Sequence, residues 1–209
     1  MRDLERALSD IGDIRSRLAE ATAFRGFGPG TMAATGALAA ITAFAQSAVM
    51  GADGYAPIVY FGGWIVIAIV SGVLIGIETV IRSYRLHSGL ADEMIQAAIL
   101  AFLPAGAAGV FLTIGLFRFA PDQVWMLPGL WQVLVGIGIF SAARTLPPGV
   151  RLVGAWYFVA GFAVFALASD TGTGQPTLSP WLMGLPFAVG QVAMAIVLYR
   201  AAQEPAPDA

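Results

Sequence analysis

Six stretches of the chain are each apolar over about the 20 residues that a helix needs to cross the hydrocarbon of a bilayer. They run over residues 29–50, 59–81, 95–117, 124–143, 151–168 and 180–199. No other feature narrows the fold as much. Inside lipid, every backbone N–H and C=O must be satisfied within the protein, and a single apolar segment does that only as a helix. The composition agrees: 58% of the 209 residues are hydrophobic and 11% are charged, with a mean hydropathy of +0.78. A soluble domain carries about a quarter charged residues. Lipid is the expected solvent for much of this surface.

The arginines test the span count independently. With six spans, one side of the membrane holds Arg2, Arg6, Arg15, Arg17, Arg25, Arg82, Arg85, Arg144, Arg151 and Arg200, and the other holds Arg118 alone. Such a bias marks the first side as cytoplasmic, so both termini are expected there, in a bacterial inner membrane. Five spans would scramble the pattern. Asp53, Asp122 and Asp170 fall in the opposite loops. Trp64, Trp125, Trp131 and Trp181, with Tyr55 and Tyr60 nearby, occupy outer helix halves, where such rings suit the membrane interface. Trp131 is also deep enough to pack inside.

The connections between spans are too short to fold as separate domains. The expected organisation is therefore a membrane domain over 29–200, an N-terminal appendage over 1–28 and a flexible tail over 201–209. In the appendage, Leu4, Ala7, Ile11, Ile14, Leu18 and Ala21 recur at spacings of three and four, and Leu8 widens the stripe. That period predicts an amphipathic cytoplasmic helix, ended by the glycines and proline of "FRGFGPG". Leu4, Leu8, Ile11, Ile14 and Leu18 would form a face for a partner protein or for the rim of the same bundle. The appendage has no compact apolar core after a short basic start, so it does not read as a secretion signal.

Several chemistries are excluded or ranked low. The chain has no cysteine and one histidine, which removes zinc-thiolate sites, iron–sulfur clusters, covalent haem and cysteine nucleophiles. A net charge of −2 offers no basic field for nucleic acid. No nucleophile elbow or phosphate-binding loop is present. Intrinsic hydrolase, ATPase and metalloenzyme activities rank low, and no cofactor is predicted, although a non-covalent membrane cofactor stays compatible with these residues.

What remains is a handful of polar groups within the spans. Glu78 is the candidate proton or cation site, because a carboxylate in lipid is costly and often functional. The competing reading pairs it with Arg82, one turn later on the same face. Gln132 and Gln191 could line a pathway or touch a quinone-like head group, with Trp131 as one wall, or could join helices by hydrogen bonds. His87, in the turn "RLHSGLADE", is a candidate pH-sensitive residue and equally a solvated one. Pro104 and Pro186 should bend their helices, while Pro128 sits near a first turn. Ser71, Thr79, Thr113 and Ser141 are expected to bond back onto the preceding turn. "WQVLVGIGIF" and "WYFVAGFAVF" repeat Trp, Gly and Phe at a spacing of 25 residues. The small-xxx-small steps Gly72/Gly76 and Ala105/Gly109 suit close helix contact.

The segments "IRSRLAEATAFRGFGPG" and "LPGLWQVLVGIGIFSAA" resemble those of uncharacterised small multi-spanning bacterial membrane proteins, in which a charged N-terminal segment precedes several spans. That likeness implies no activity and transfers no functional residue. Three functions follow from the residues. The leading expectation is a non-catalytic inner-membrane accessory, assembly or regulatory protein, partnered by lipid and by another membrane protein or further copies of itself. The others are a small transporter or channel for a neutral or cationic solute, and a cofactor-binding membrane subunit.

Overall fold

A computed structural model of the chain describes residues 11, 14, 27–49, 56–86, 91–169 and 178–203. Six helices account for nearly all of them: α1 (Pro29–Val49), α2 (Pro57–Leu86), α3 (Ala91–Phe119), α4 (Leu127–Ala142), α5 (Val150–Ser169) and α6 (Trp181–Gln203). A short 3-10 segment, Pro121–Met126, leads into α4 and continues its span. Each of the six is long and apolar enough to cross a membrane. Pro128 falls in the first turn of α4, where its missing N–H costs nothing.

Helices α2 and α3 extend beyond the apolar stretches 59–81 and 95–117. Backbone hydrogen bonding does not stop where side chains turn polar, so α2 runs on through Arg82 and Arg85, and α3 begins at Ala91. The overhanging turns are joined by a hydrogen bond of 2.5 Å from the Tyr84 hydroxyl to Asp92 Oδ1.

Helices adjacent in sequence pack against one another, and α1 closes on α6, so the six form a ring that α4 and α6 bridge internally. Lipid tails are as apolar as leucine, so this packing rests on shape and close approach. Alanine-rich α1 buries Ala39 and Ala43 against α6. A methyl group on Gly184 of α6 would strike Ala43 Cβ and lie 3.1 Å from the Ala39 carbonyl oxygen. Between α4 and α5 the approach is as tight at two levels. A Cβ on Gly129 would come within 2.8 Å of the Gly161 carbonyl oxygen, and one on Gly136 within 3.1 Å of the Gly154 carbonyl oxygen. The two glycines of each helix are seven residues apart, and they pair in opposite order. The result is an antiparallel seam of backbone on backbone.

By contrast, only 17% of the α2 span and 11% of the α3 span are buried inside the protein, against 44% for the span containing α4. Ile65, Ile69, Ile77, Val110, Phe111 and Ile114 are exposed along these two helices. They form the broad lipid-facing wall of the ring.

Two expectations need correction. The architecture is six helices, and among the described residues there is no separate seventh, amphipathic helix at the N-terminus. Leu4, Leu8 and Leu18 lie outside the described residues. Ile11 and Ile14 are 49% and 57% exposed, so they bury little apolar surface against the bundle. A helix of that length draws most of its stability from packing its apolar face, and these two positions do not supply such packing. The second correction concerns Tyr60 and Trp64, which are not interface rings but are 0% and 3% exposed. They point into the ring, where Tyr60 stacks edge-on to Phe61, with centroids 4.9 Å apart, and donates a 3.1 Å hydrogen bond to the Ser179 carbonyl.

Candidate functional site

With helices alternating in direction, Arg82, Arg85, Arg144, Arg151 and Arg200 gather at one end of the ring and Arg118 at the other. The two halves of the interior differ accordingly. The half toward Arg118 is filled with rings. Phe61 packs edge-on against both Phe117 and Trp131, with centroids 5.7 and 5.6 Å apart. Such arrangements place a ring's positive edge on its neighbour's negative face. Trp131 Nε1 donates to Thr113 Oγ1 at 3.0 Å, and Thr113 bonds back to the Gly109 carbonyl at 2.7 Å. Trp131 is thereby held in a packed cluster.

Midway along the ring, Pro186 shapes the position of Gln132. A proline at 186 has no N–H to offer the carbonyl of Leu182, four residues earlier, so that acceptor is orphaned within α6. Gln132, buried in α4, supplies the missing donor: its Nε2 lies 2.9 Å from the Leu182 oxygen. From α5, Trp156 Nε1 donates to the Pro186 carbonyl at 3.0 Å. Two neighbouring helices thus clamp the proline site of α6. Gln132 Oε1 is buried without a partner.

The half toward the arginine-rich end holds a half-open cavity of about 420 Å³. All six helices border it. Met32 comes from α1; Gly72, Ile75, Gly76 and Thr79 from α2; Ala98 and Phe102 from α3; Ile139 from α4; Tyr157 from α5; Gly190, Gln191 and Met194 from α6. The local reasons are legible in each helix. Gly72 and Gly76 have no atom within 4 Å of where a Cβ would stand, so α2 presents bare backbone to the space. On α6, a Cβ at Gly190 would collide with the Tyr157 ring, so this glycine allows Tyr157 to lie flat across the helix. The ring then contacts Phe187, with centroids 5.4 Å apart.

Among the described residues the cavity walls are apolar apart from Thr79, Tyr157 and Gln191. Thr79 and Tyr157 are 7% and 1% exposed. Thr79 Oγ1, the Tyr157 hydroxyl and Gln191 Oε1 are all buried without a hydrogen-bonding partner. The Tyr157 hydroxyl and the Gln191 side chain lie within hydrogen-bonding reach of each other, although neither the hydroxyl nor Gln191 Oε1 is in good geometry for a bond. Unlike Thr113 and Ser141, which bond back to Gly109 and Ile137, Thr79 is left unpaired. Buried polar groups are normally satisfied, and each orphan costs about 1–3 kcal/mol. Thr79 and the adjacent Tyr157–Gln191 pair mark a place suited to a hydrogen-bonding guest.

Glu78 stands beside this cavity rather than in its wall. Its carboxylate lies against Gly28, the residue that precedes α1, so closely that a methyl group there would overlap it. A carboxylate at this place faces the positive end of the α1 macrodipole and its unsatisfied first-turn N–H groups. Oε2 is buried without a hydrogen-bonding partner. Of the polar residues singled out in the sequence, the structure places Gln191 at the cavity, Glu78 next to it, Gln132 at the α6 proline and Trp131 in the aromatic half. They do not converge on one site. His87 lies outside the described residues.

The sequence does not single out Tyr157, and it marks Thr79 only for a bond back onto its own helix. Tyr157 follows Trp156 in an apolar run, and Thr79 looked like any membrane-helix threonine. The available signal was a tyrosine hydroxyl buried in mid-span, away from either interface. Among the described residues no group of His, Asp or Glu is placed to hold a metal ion. Comparison with family models, curated proteins and solved structures found no match to this chain.

Proposed function

We propose that this chain is a non-catalytic accessory or regulatory membrane protein whose working part is the cavity within the ring. The observation that carries this reading is the set of three unpartnered buried polar atoms around one apolar space. Such a site favours binding and orientation of a guest. Among the described residues it presents no nucleophile–base pair and no paired carboxylates for acid–base work. The protein would sit in a bacterial inner membrane with its arginine-rich end toward the cytoplasm, in keeping with the charge bias of its loops.

Purification of the full chain in mild detergent tests the reading. Stoichiometry, co-purifying protein, bound small molecules by mass spectrometry and visible absorption would be recorded together. A reproducible partner protein or bound molecule supports it, and a pigment would point to a cofactor-binding subunit. Orientation is checked with single cysteines at Arg85 and Thr173, which should label from opposite faces of the membrane. Labelling from the same face would overturn the topology.

A second reading, a small transporter for a neutral or cationic solute, draws support from the buried, unpartnered Glu78 Oε2 beside the cavity. Liposomes containing only this chain separate the two. Solute flux abolished by Glu78→Gln would replace the accessory reading with transport.

A further inference from the structure

On one side the cavity lies against the outer surface at the seam between α2 and α3. A groove of about 290 Å³ runs along the outside of that seam near the arginine-rich end. Val80, Ile95 and Ile99 line both the groove and the cavity, forming a wall one side chain thick between them. The seam is sparsely packed compared with α3–α4 or α4–α5. Its lips are apolar and exposed, with Val80 at 42% and Ile99 at 57%. Beyond them, the Tyr84–Asp92 hydrogen bond spans the two helices at the groove's polar edge.

The polar lining restricts the guest. Among the described residues no side chain bordering the cavity carries a formal charge, so an ionic head group would be desolvated there without compensation. Gln191 Oε1 can only accept a hydrogen bond, whereas the hydroxyls of Tyr157 and Thr79 can donate one. A ketone or ester head group can accept from these hydroxyls but brings no donor of its own for Gln191 Oε1. A hydroxyl group satisfies both requirements, donating to Gln191 and accepting from Tyr157 or Thr79. Apolar walls fit the attached chain.

We propose that the cavity binds an uncharged, hydroxyl-bearing amphiphile drawn sideways from the bilayer through the α2–α3 seam. This rests on the reading of the cavity as the working part of the protein. The hydroxyl is held by Tyr157, Gln191 and Thr79, and the chain lies toward Ile75, Phe102 and Met194. Val80, Ile95 and Ile99 act as the portal.

The test uses the full chain in phosphatidylcholine nanodiscs and three photoreactive probes of equal chain length: a primary alcohol, a carboxylic acid and a quaternary ammonium. Each has a diazirine in mid-chain. The alcohol should mark cavity-lining positions on α2, α3 and α6, in preference to both charged probes. Tyr157→Phe and Gln191→Leu should each reduce that labelling about five-fold, the loss expected for one hydrogen bond of about 1 kcal/mol. Thr79→Val is a third, conservative variant should either of those fail to fold. Equal labelling by all three probes, or labelling confined to lipid-facing residues such as Phe111 and Leu152, would overturn the ligand class.

Because the chain has no cysteine, a Val80→Cys/Ile99→Cys pair can be bridged specifically by a short bis-maleimide. Bridging before probe addition should block cavity labelling, and bridging afterwards should preserve it. Single cysteines capped with a monomaleimide control for added bulk. Unchanged labelling after prior bridging would overturn the lateral route. A stable partner protein with no cavity labelling would remove this ligand and leave the accessory reading standing. Flux that depends on Glu78, together with alcohol labelling, would do the reverse.

Discussion

Two helix pairs of this ring solve the same problem in opposite ways. At α4–α5, glycines on both helices let backbone meet backbone, with Gly129 facing Gly161 and Gly136 facing Gly154. At α2–α3, Gly72 and Gly76 border the cavity but are exposed, and nothing occupies the space where their side chains would be. The same residue type closes one seam and leaves the other next to a cavity. What distinguishes them is whether the facing helix offers a complementary surface at that level. A glycine-xxx-glycine step read without its partner therefore says little about contact.

Substitution by alanine should expose the difference directly. Gly129→Ala and Gly161→Ala drive a methyl group into a carbonyl of the neighbouring helix, which cannot move without shifting the whole helix. Each should cost about 2–3 kcal/mol, at the upper range for overpacking, read as a marked fall in the melting temperature in detergent. A change within experimental error would mean that the seam is not closed by these glycines.

The α6 proline clamp comes next in size. Gln132→Leu leaves the Leu182 carbonyl unpaired and should cost about 1–2 kcal/mol. In a Pro186→Ala background the helix can satisfy that carbonyl itself, so the same substitution should cost clearly less. An equal cost in both backgrounds would break the assignment. The test is a double-mutant cycle on thermal stability.

Smaller again is the contact between Glu78 and Gly28. Gly28→Ala pushes against the end of a side chain that can swing aside, so the loss should be about 0.5–1 kcal/mol, comparable to one charge–dipole contact. In a Glu78→Ala background the loss should vanish. The least effect is expected at the open seam: Gly72→Ala and Gly76→Ala should leave stability unchanged or raise it by up to about 1 kcal/mol through helix propensity. These two substitutions add methyl groups beside the cavity, so labelling by the alcohol probe should fall while the melting temperature holds.

The candidate site was less legible in the sequence than the spans were. Glu78 drew notice through its depth in an apolar stretch, and Arg82 on the same face was its natural partner on a single helix. The structure also sets its carboxylate against Gly28, 50 residues away, a relation that no local spacing encodes. Gln132 and Gln191 looked alike, two glutamines in mid-span. One completes a proline-broken turn and the other borders a cavity, and the difference lies in what faces each of them. The repeat at a spacing of 25 residues also takes its physical form from the fold. Gly136 and Gly161 do not meet each other; each meets a glycine of the opposite helix.

The amphipathic pattern of the N-terminal residues shows the reverse hazard. A period of three and four suffices to predict a helix, but not to supply a surface for it to lie on. Ile11 and Ile14 remain about half exposed.

By itself the sequence determined that this chain is a membrane protein of six apolar helices with a strong asymmetry of arginine. The reason is that a bilayer imposes its demands along one dimension: a hydrophobic length, a fully bonded backbone and a charge preference at each end. Only the tertiary structure decided which glycines close a seam, which carbonyl Gln132 completes, and that Thr79, Tyr157 and Gln191 surround one cavity. Those relations depend on the rotation and register of each helix against its neighbours. In lipid they are set by close packing, which no single helix carries in its own pattern.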